Sequence, residues 1–154
     1  MEHPKILIDN RQEATVETPR LLQKTEQILN ALGCDDHELS LVITDDAEIR
    51  ELNATYRNKD KATNVLSFPM MEGDFGMVTP GLLGDVVISS ETAVREAADA
   101  GITPDQRMSQ LLVHGILHLL GFDHETGEDD ARAMEAKSLE LLRTIEPHAD
   151  LDFF

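Results

Sequence analysis

The fold class this sequence predicts is α+β, with about four strands forming one twisted sheet on which helices pack. Three observations lead there. Strand-like runs all lie before position 90, helical periodicity dominates after it, and only about four runs have the β-branched, alternating character of strands. A length of 154 residues suits one compact domain, 1–154, that buries roughly two-thirds of its unfolded surface.

Lys5 to Asp9 reads as the first strand. Thr18 then serves as N-cap with Pro19 in the first turn, and Leu21, Leu22, Thr25, Ile28, Leu29 and Leu32 recur at helical spacing until Gly33 closes the helix. Leu39–Thr44 is the second strand. Asp45 with Glu48 three residues on resembles a capping box, which predicts a helix over 46–56 with Ile49 and Leu52 inward. Residues 63–69 form a strand stopped by Pro69, and Gly73, Gly76, Pro80 and Gly81 make 70–82 a surface loop. Leu83–Ser89 is the fourth strand. Ser90 caps a helix whose inner positions are Ala93, Val94, Ala97 and Ala98, ended by Gly101. Thr103, Pro104 and Gln106 signal the next start, and the helix they open, about 104–120, is apolar nearly all round from Leu111 to Leu120, marking it as central and buried. A last helix begins near Glu128 and Asp129, with Met134, Leu141, Leu142 and Ile145 on its core face.

Apolar residues make up 41% and charged residues 28%, ordinary values for a globular chain, and no run approaches the ~20 apolar residues of a membrane span. The opening Met-Glu-His-Pro-Lys lacks a signal-peptide pattern, so a cytoplasmic location is expected. Cys34 is the only cysteine, which excludes an internal disulfide and a cysteine-type zinc site. A formal charge of −17 argues against a protein that coats nucleic acid nonspecifically. It leaves room for a local basic site, because Arg50, Arg57, Lys59 and Lys61 crowd into one short stretch. A solvated turn is the alternative for that cluster.

The chemistry concentrates at 114–124, His-Gly-Ile-Leu-His-Leu-Leu-Gly-Phe-Asp-His. Helix positions four apart stack on one face, so His114 and His118 can share one ion; Gly121 ends the helix in the left-handed conformation and the returning chain can add His124. Three imidazoles with an open fourth position describe a catalytic zinc site, and a shared cation satisfies two imidazoles that would otherwise need separate partners in an apolar segment. The spacing matches H-E-x-x-H-x-x-G-x-x-H metalloproteases except at Gly115, where their general-base glutamate stands. A phosphodiester suits that vacancy, since it is handled mainly by cations. Gly115 costs the helix about 1 kcal/mol against alanine, so packing or site access must favour it. His3, His37 and His148 have no such context and read as surface residues.

Around this core, Arg57 is a candidate catalytic phosphate clamp because guanidinium offers paired donors to phosphate oxygens, and Lys59 and Lys61 join it as candidate substrate contacts. Asp123 and Glu125 flank His124; Asp123 in particular is a candidate to orient an imidazole or transfer a proton, with a solvated loop carboxylate as the alternative. Asp85, isolated in an apolar strand after Gly84, is a third catalytic candidate, with a structural cap or ion pair as its alternative.

The signature His114-Gly-x-Leu-His118-Leu-x-Gly121-Phe-Asp123-His124, with Tyr56-Arg57-x-Lys59-Asp60 leading into Thr63-Asn-Val-Leu-Ser-Phe-Pro69 and with Leu83-Gly-Asp85, resembles the YbeY-type rRNA maturation endoribonucleases. The resemblance implies a single-domain, cytosolic, zinc-dependent enzyme with a zincin-like (metalloprotease-like) fold. By that likeness it acts on single-stranded RNA in small-subunit rRNA maturation and ribosome quality control. His114, His118 and His124 would then bind one Zn2+, and Arg57 would contact phosphate. Partners would be rRNA, the ribosomal particle and ribosome-associated proteins, with no membrane. Two rivals stay open: a peptidase-like metallohydrolase, and a noncatalytic assembly factor stabilised by zinc.

Overall fold

The computed structural model describes residues 5–70, 81–122, 127–149 and 151. Its elements run β1 (Lys5–Asn10), α1 (Thr18–Ala31), β2 (Glu38–Thr44), α2 (Asp46–Arg57), β3 (Val65–Pro69), β4 (Leu82–Ser89), α3 (Ser90–Ala100), α4 (Pro104–Leu119) and α5 (Glu128–Ile145). The strands form one sheet in the order β1-β2-β4-β3, with β1, β2 and β4 parallel and β3 antiparallel at the edge beside β4. The α+β expectation is met, and the sheet is mixed.

Alternation along the strands divides the helices between two faces. Leu41, Ile43, Val86 and Ile88 point into the larger core with Ile28 and Leu29 of α1, Leu112 and Ile116 of α4, and Leu141 and Leu142 of α5. Leu66 and Val87 point the other way, onto Ile49 and Leu52 of α2. The helix expected to be central is so: α4 is buried at nearly every position from Arg107 to Leu119. An imidazole-bearing helix crossing beneath an antiparallel edge strand is consistent with a zincin-like arrangement.

Cap chemistry explains most boundaries. Thr103 and Gln106 make the full reciprocal capping box at the start of α4. Asp45 accepts from the Glu48 amide, but Glu48 does not reciprocate; its carboxylate takes the Thr44 hydroxyl and Arg11 instead. Two expected caps lie one residue earlier. Glu17, not Thr18, precedes α1, because the Thr18 hydroxyl accepts from Asn10 Nδ2 at 3.0 Å. Ser89, not Ser90, caps α3 by accepting from the Thr92 amide, while Ser90 donates to Gln12. Val94, expected inward, is exposed, since α3 presents Ala93 and Ala97 to the core. Most of the expected loop 70–82 lies outside the described residues.

One contact tying α1, α4 and α5 together has no hydrophobic signature. The Lys24 ammonium, almost wholly buried, donates to Asp105 at 2.9 Å, Ser109 at 2.8 Å and Glu146 at 2.7 Å. A charge taken out of water is tolerated only with such complete partnering. Burial opposes ionisation of Asp105, and Lys24 and then Arg20 overcome it, holding the carboxyl below the usual carboxylate range.

Candidate metal and nucleic-acid site

His114 and His118 lie one turn apart on α4, their ring centroids 4.4 Å apart and their planes at 68°. His114 is 9% exposed, and buried Leu111, Val113, Ile116 and Leu117 surround the pair along the helix. Past Leu119 the chain reverses as expected. Gly121 sits at φ +93°, its amide donates to the His118 carbonyl at 3.1 Å and the Phe122 amide donates to the Leu117 carbonyl at 3.0 Å. These two bonds form a Schellman motif and satisfy carbonyls that the helix end would orphan. His124, Asp123 and Glu125, three residues weighed from sequence, lie outside the described residues. Among the described residues no three His, Cys, Asp or Glu side chains gather as a metal site. The donor chemistry of the pair nonetheless fits zinc: two imidazoles, adjacent, in an apolar segment.

Gly115 answers the question its missing side chain raised. A Cβ there would stand 2.6 Å from Val86 Cγ1 and 3.2 Å from Val65 Cγ2, and the Gly115 carbonyl accepts from the Ser67 hydroxyl at 2.8 Å. The helix rides directly on β3 and β4 at this point. Overpacking of that kind costs about 1–3 kcal/mol, which outweighs the ~1 kcal/mol of helix propensity that glycine forfeits. A glutamate here would press its Cβ into Val86, so that valine or the helix would have to shift.

The pair opens into a cleft of about 660 Å³ that wraps the β3 edge. Arg57, Lys59 and Lys61 line it together with His114, His118, Ser67 and Phe122. Arg57 ends α2, and Asn58 turns the chain in the left-handed conformation at φ 57°. Asn53, a residue that sequence reasoning passed over, shapes this stretch: its carbonyl accepts from the Asn58 and Lys59 amides, and its buried side chain donates to the Lys61 carbonyl at 2.9 Å. The cationic cluster divides. Arg50 pairs with Asp60 at 2.8 Å, whereas Arg57, Lys59 and Lys61 have no carboxylate partner among the described residues.

Asp85 is not brought to this cleft. It alternates with Val86, which meets Gly115, so its side chain shares the α2 face of the sheet with Val87. A second overlooked group sits behind the histidines. Arg107, at the helical interval that leads to His114, is buried against Glu96 of α3 at 3.1 Å and against Gln110 at 2.8 Å. Glu96 also accepts from Asn64 of the cleft wall at 3.1 Å. The 107-110-114-118 spacing of polar residues in an apolar helix was the available signal.

Fold and cleft together define a class: a small α+β protein whose central helix carries an imidazole pair into a positively charged groove at a sheet edge. Within that class the chain belongs to the family described as endoribonuclease YbeY, whose model matches residues 7–146. It is 51% identical over 144 residues to endoribonuclease YbeY of Geobacter metallireducens, covering 92% of this chain and 96% of the relative. The Aquifex aeolicus endoribonuclease YbeY is 55% identical over 107 residues, 70% of this chain and 69% of the relative. The solution structure of TM1509 from Thermotoga maritima matches with a TM-score of 0.64 at 27% identity, over 92% of this chain and 88% of that one.

Proposed function

We propose that this protein is a zinc-dependent endoribonuclease that cuts single-stranded RNA in small-subunit rRNA maturation and ribosome quality control, working in the cytoplasm on ribosomal particles and with ribosome-associated proteins. The observation that carries the nuclease reading is one cleft in which an adjacent imidazole pair faces three cations with no carboxylate partner among the described residues, in a chain of net charge −17. Family membership supports it. No described helix is long and apolar enough to cross a membrane.

His114 and His118, with His124, would hold the zinc ion. When bound, zinc supplies positive charge at the scissile phosphodiester and lowers the pKa of a water toward ~7. Arg57 presents paired N–H donors to the phosphate oxygens, where negative charge grows in the transition state. Lys59 and Lys61 hold the flanking phosphates as point charges and set register along the strand. Phe122 and Val65 give the groove apolar walls that limit water around those contacts. Asp85, on the other face of the sheet, has no step in this scheme. The peptidase alternative lacks its base, since position 115 is a glycine packed close against Val86 and Val65.

The test is cleavage by the purified protein of a single-stranded oligoribonucleotide, its duplex and an unrelated peptide. The expected result is cutting of the single strand alone. Terminal phosphates without a cyclic phosphate would identify water as the nucleophile, and a 2′,3′-cyclic end would identify the RNA's own hydroxyl. Peptide cleavage with intact RNA would overturn the reading.

A further inference from the structure

Tyr56 is the most exposed large hydrophobic side chain among the described residues, at 67%. It directly precedes Arg57 at the C-terminal end of α2. Adjacent helix positions diverge by about 100° around the axis, so Arg57 turns into the cleft while the tyrosine ring lies over the opposite face of the β3 edge. There it meets Phe68, ring centroids 5.4 Å apart and planes at 68°. Phe68 is itself fixed on the cluster of Ile49, Leu66 and Val87. The contact therefore orients the tyrosine ring without covering it. An edge-to-face pair blocks at most one face of a ring, and a residue two-thirds exposed keeps the other in solvent.

Burial does not account for placing the chain's one tyrosine in water on a helix whose inward positions already pack. Its neighbours suggest what it faces. Arg57, Lys59 and Lys61 line the adjacent groove with no carboxylate partner among the described residues. A cationic groove with an oriented, exposed aromatic ring just around the β3 edge, on the residue next to its Arg57, has the parts that bind single strands: cations track phosphates and the ring stacks a base.

We propose that Tyr56 is a base-stacking platform at the rim of the cleft, receiving the nucleobase of a nucleotide that neighbours the phosphate held by Arg57. The platform rests on the single-stranded RNA reading above and adds a subsite to it. Stacking uses the π-face that every base has, so the subsite tolerates any sequence and requires an unpaired base. It thereby gives the protein a means of refusing duplex RNA that cations alone cannot provide, since a duplex presents the same phosphates with its bases turned inward.

The experiment measures binding of a labelled 2′-O-methyl oligouridylate of about ten nucleotides, within the span of common single-strand sites, against a strand of the same length made of abasic nucleotides. Both are titrated against wild type, Tyr56→Phe and Tyr56→Ala, with thermal unfolding recorded for each variant. Wild type should bind the base-bearing strand at least about fivefold more tightly than the abasic one, the lower end expected for one stacked base. Tyr56→Phe should keep that preference. Tyr56→Ala should lose most of it while binding the abasic strand as wild type does and keeping the same salt dependence. A merely structural role would weaken both strands alike. Equal preference in wild type and Tyr56→Ala overturns the platform alone; failure of wild type to bind either strand overturns it together with the RNA reading.

Discussion

Lys24 and the Arg57–Lys61 stretch place the same positive charge in opposite settings. Lys24 is buried, with two carboxylates and a hydroxyl on its ammonium, and joins three helices. Arg57, Lys59 and Lys61 are exposed, carry no carboxylate partner among the described residues and are aimed by a turn that Asn53 holds. In a chain with 30 acidic residues, three cations with no carboxylate partner among the described residues stand together on one wall of one cleft. On the proposed function, partnering separates the charge that serves stability from those left open to a ligand.

The comparison breaks most visibly at Lys24. Lys24→Ala leaves the mostly buried Glu146 beside a void while the half-exposed Asp105 keeps Arg20, and loss of one partner of a buried pair costs about 3–5 kcal/mol; urea unfolding should show a large stability loss, with activity per folded molecule retained. Arg57→Ala should do the reverse. Its cleavage rate should fall about a hundredfold, the scale of one lost transition-state donor, with the unfolding midpoint unchanged; equal loss of stability would place Arg57 with Lys24. The double change Lys59→Ala with Lys61→Ala should weaken RNA binding several-fold and lower the slope of log affinity against log salt by about 0.7 per lysine, the single-strand value. An unchanged slope would remove both lysines from the phosphate path.

The smallest effect is in acid. Because Asp105 titrates below its ordinary value near ~3.9, the folded state binds fewer protons there than the unfolded chain does. Its contribution to stability is therefore complete above that ordinary value and is lost as pH falls through the lower folded value. Melting temperatures taken between about pH 3 and 6 should fall more steeply in acid for wild type than for Asp105→Asn.

Local chemistry explains which parts of this were legible. The α4 capping box, the reversal at Gly121 and the one-turn spacing of His114 and His118 are short-range features, and each stands where the residue pattern puts it. Strand order is not short-range: nothing in Val65–Pro69 says that it turns antiparallel and takes the edge. The same limit hid Asp85, because alternation tells that neighbouring residues face opposite ways but not which face carries α4. Lys24 escaped notice because its partners lie far away in sequence, on α4 and at the end of α5. Asn53 was within reach, as a polar residue one turn before Arg57 on the inward side of an amphipathic helix.

In the proposed scheme the helix-borne imidazoles hold a metal ion on which RNA cleavage depends. Elemental analysis of the purified protein and of His118→Ala, paired with the single-strand cleavage assay before and after chelation, tests it most directly. The expected result is about one zinc per chain, as a three-imidazole site binds, with metal and cleavage lost together in the variant and under chelator. A folded His118→Ala that still cuts RNA, or a wild-type protein fully active without metal, would contradict it.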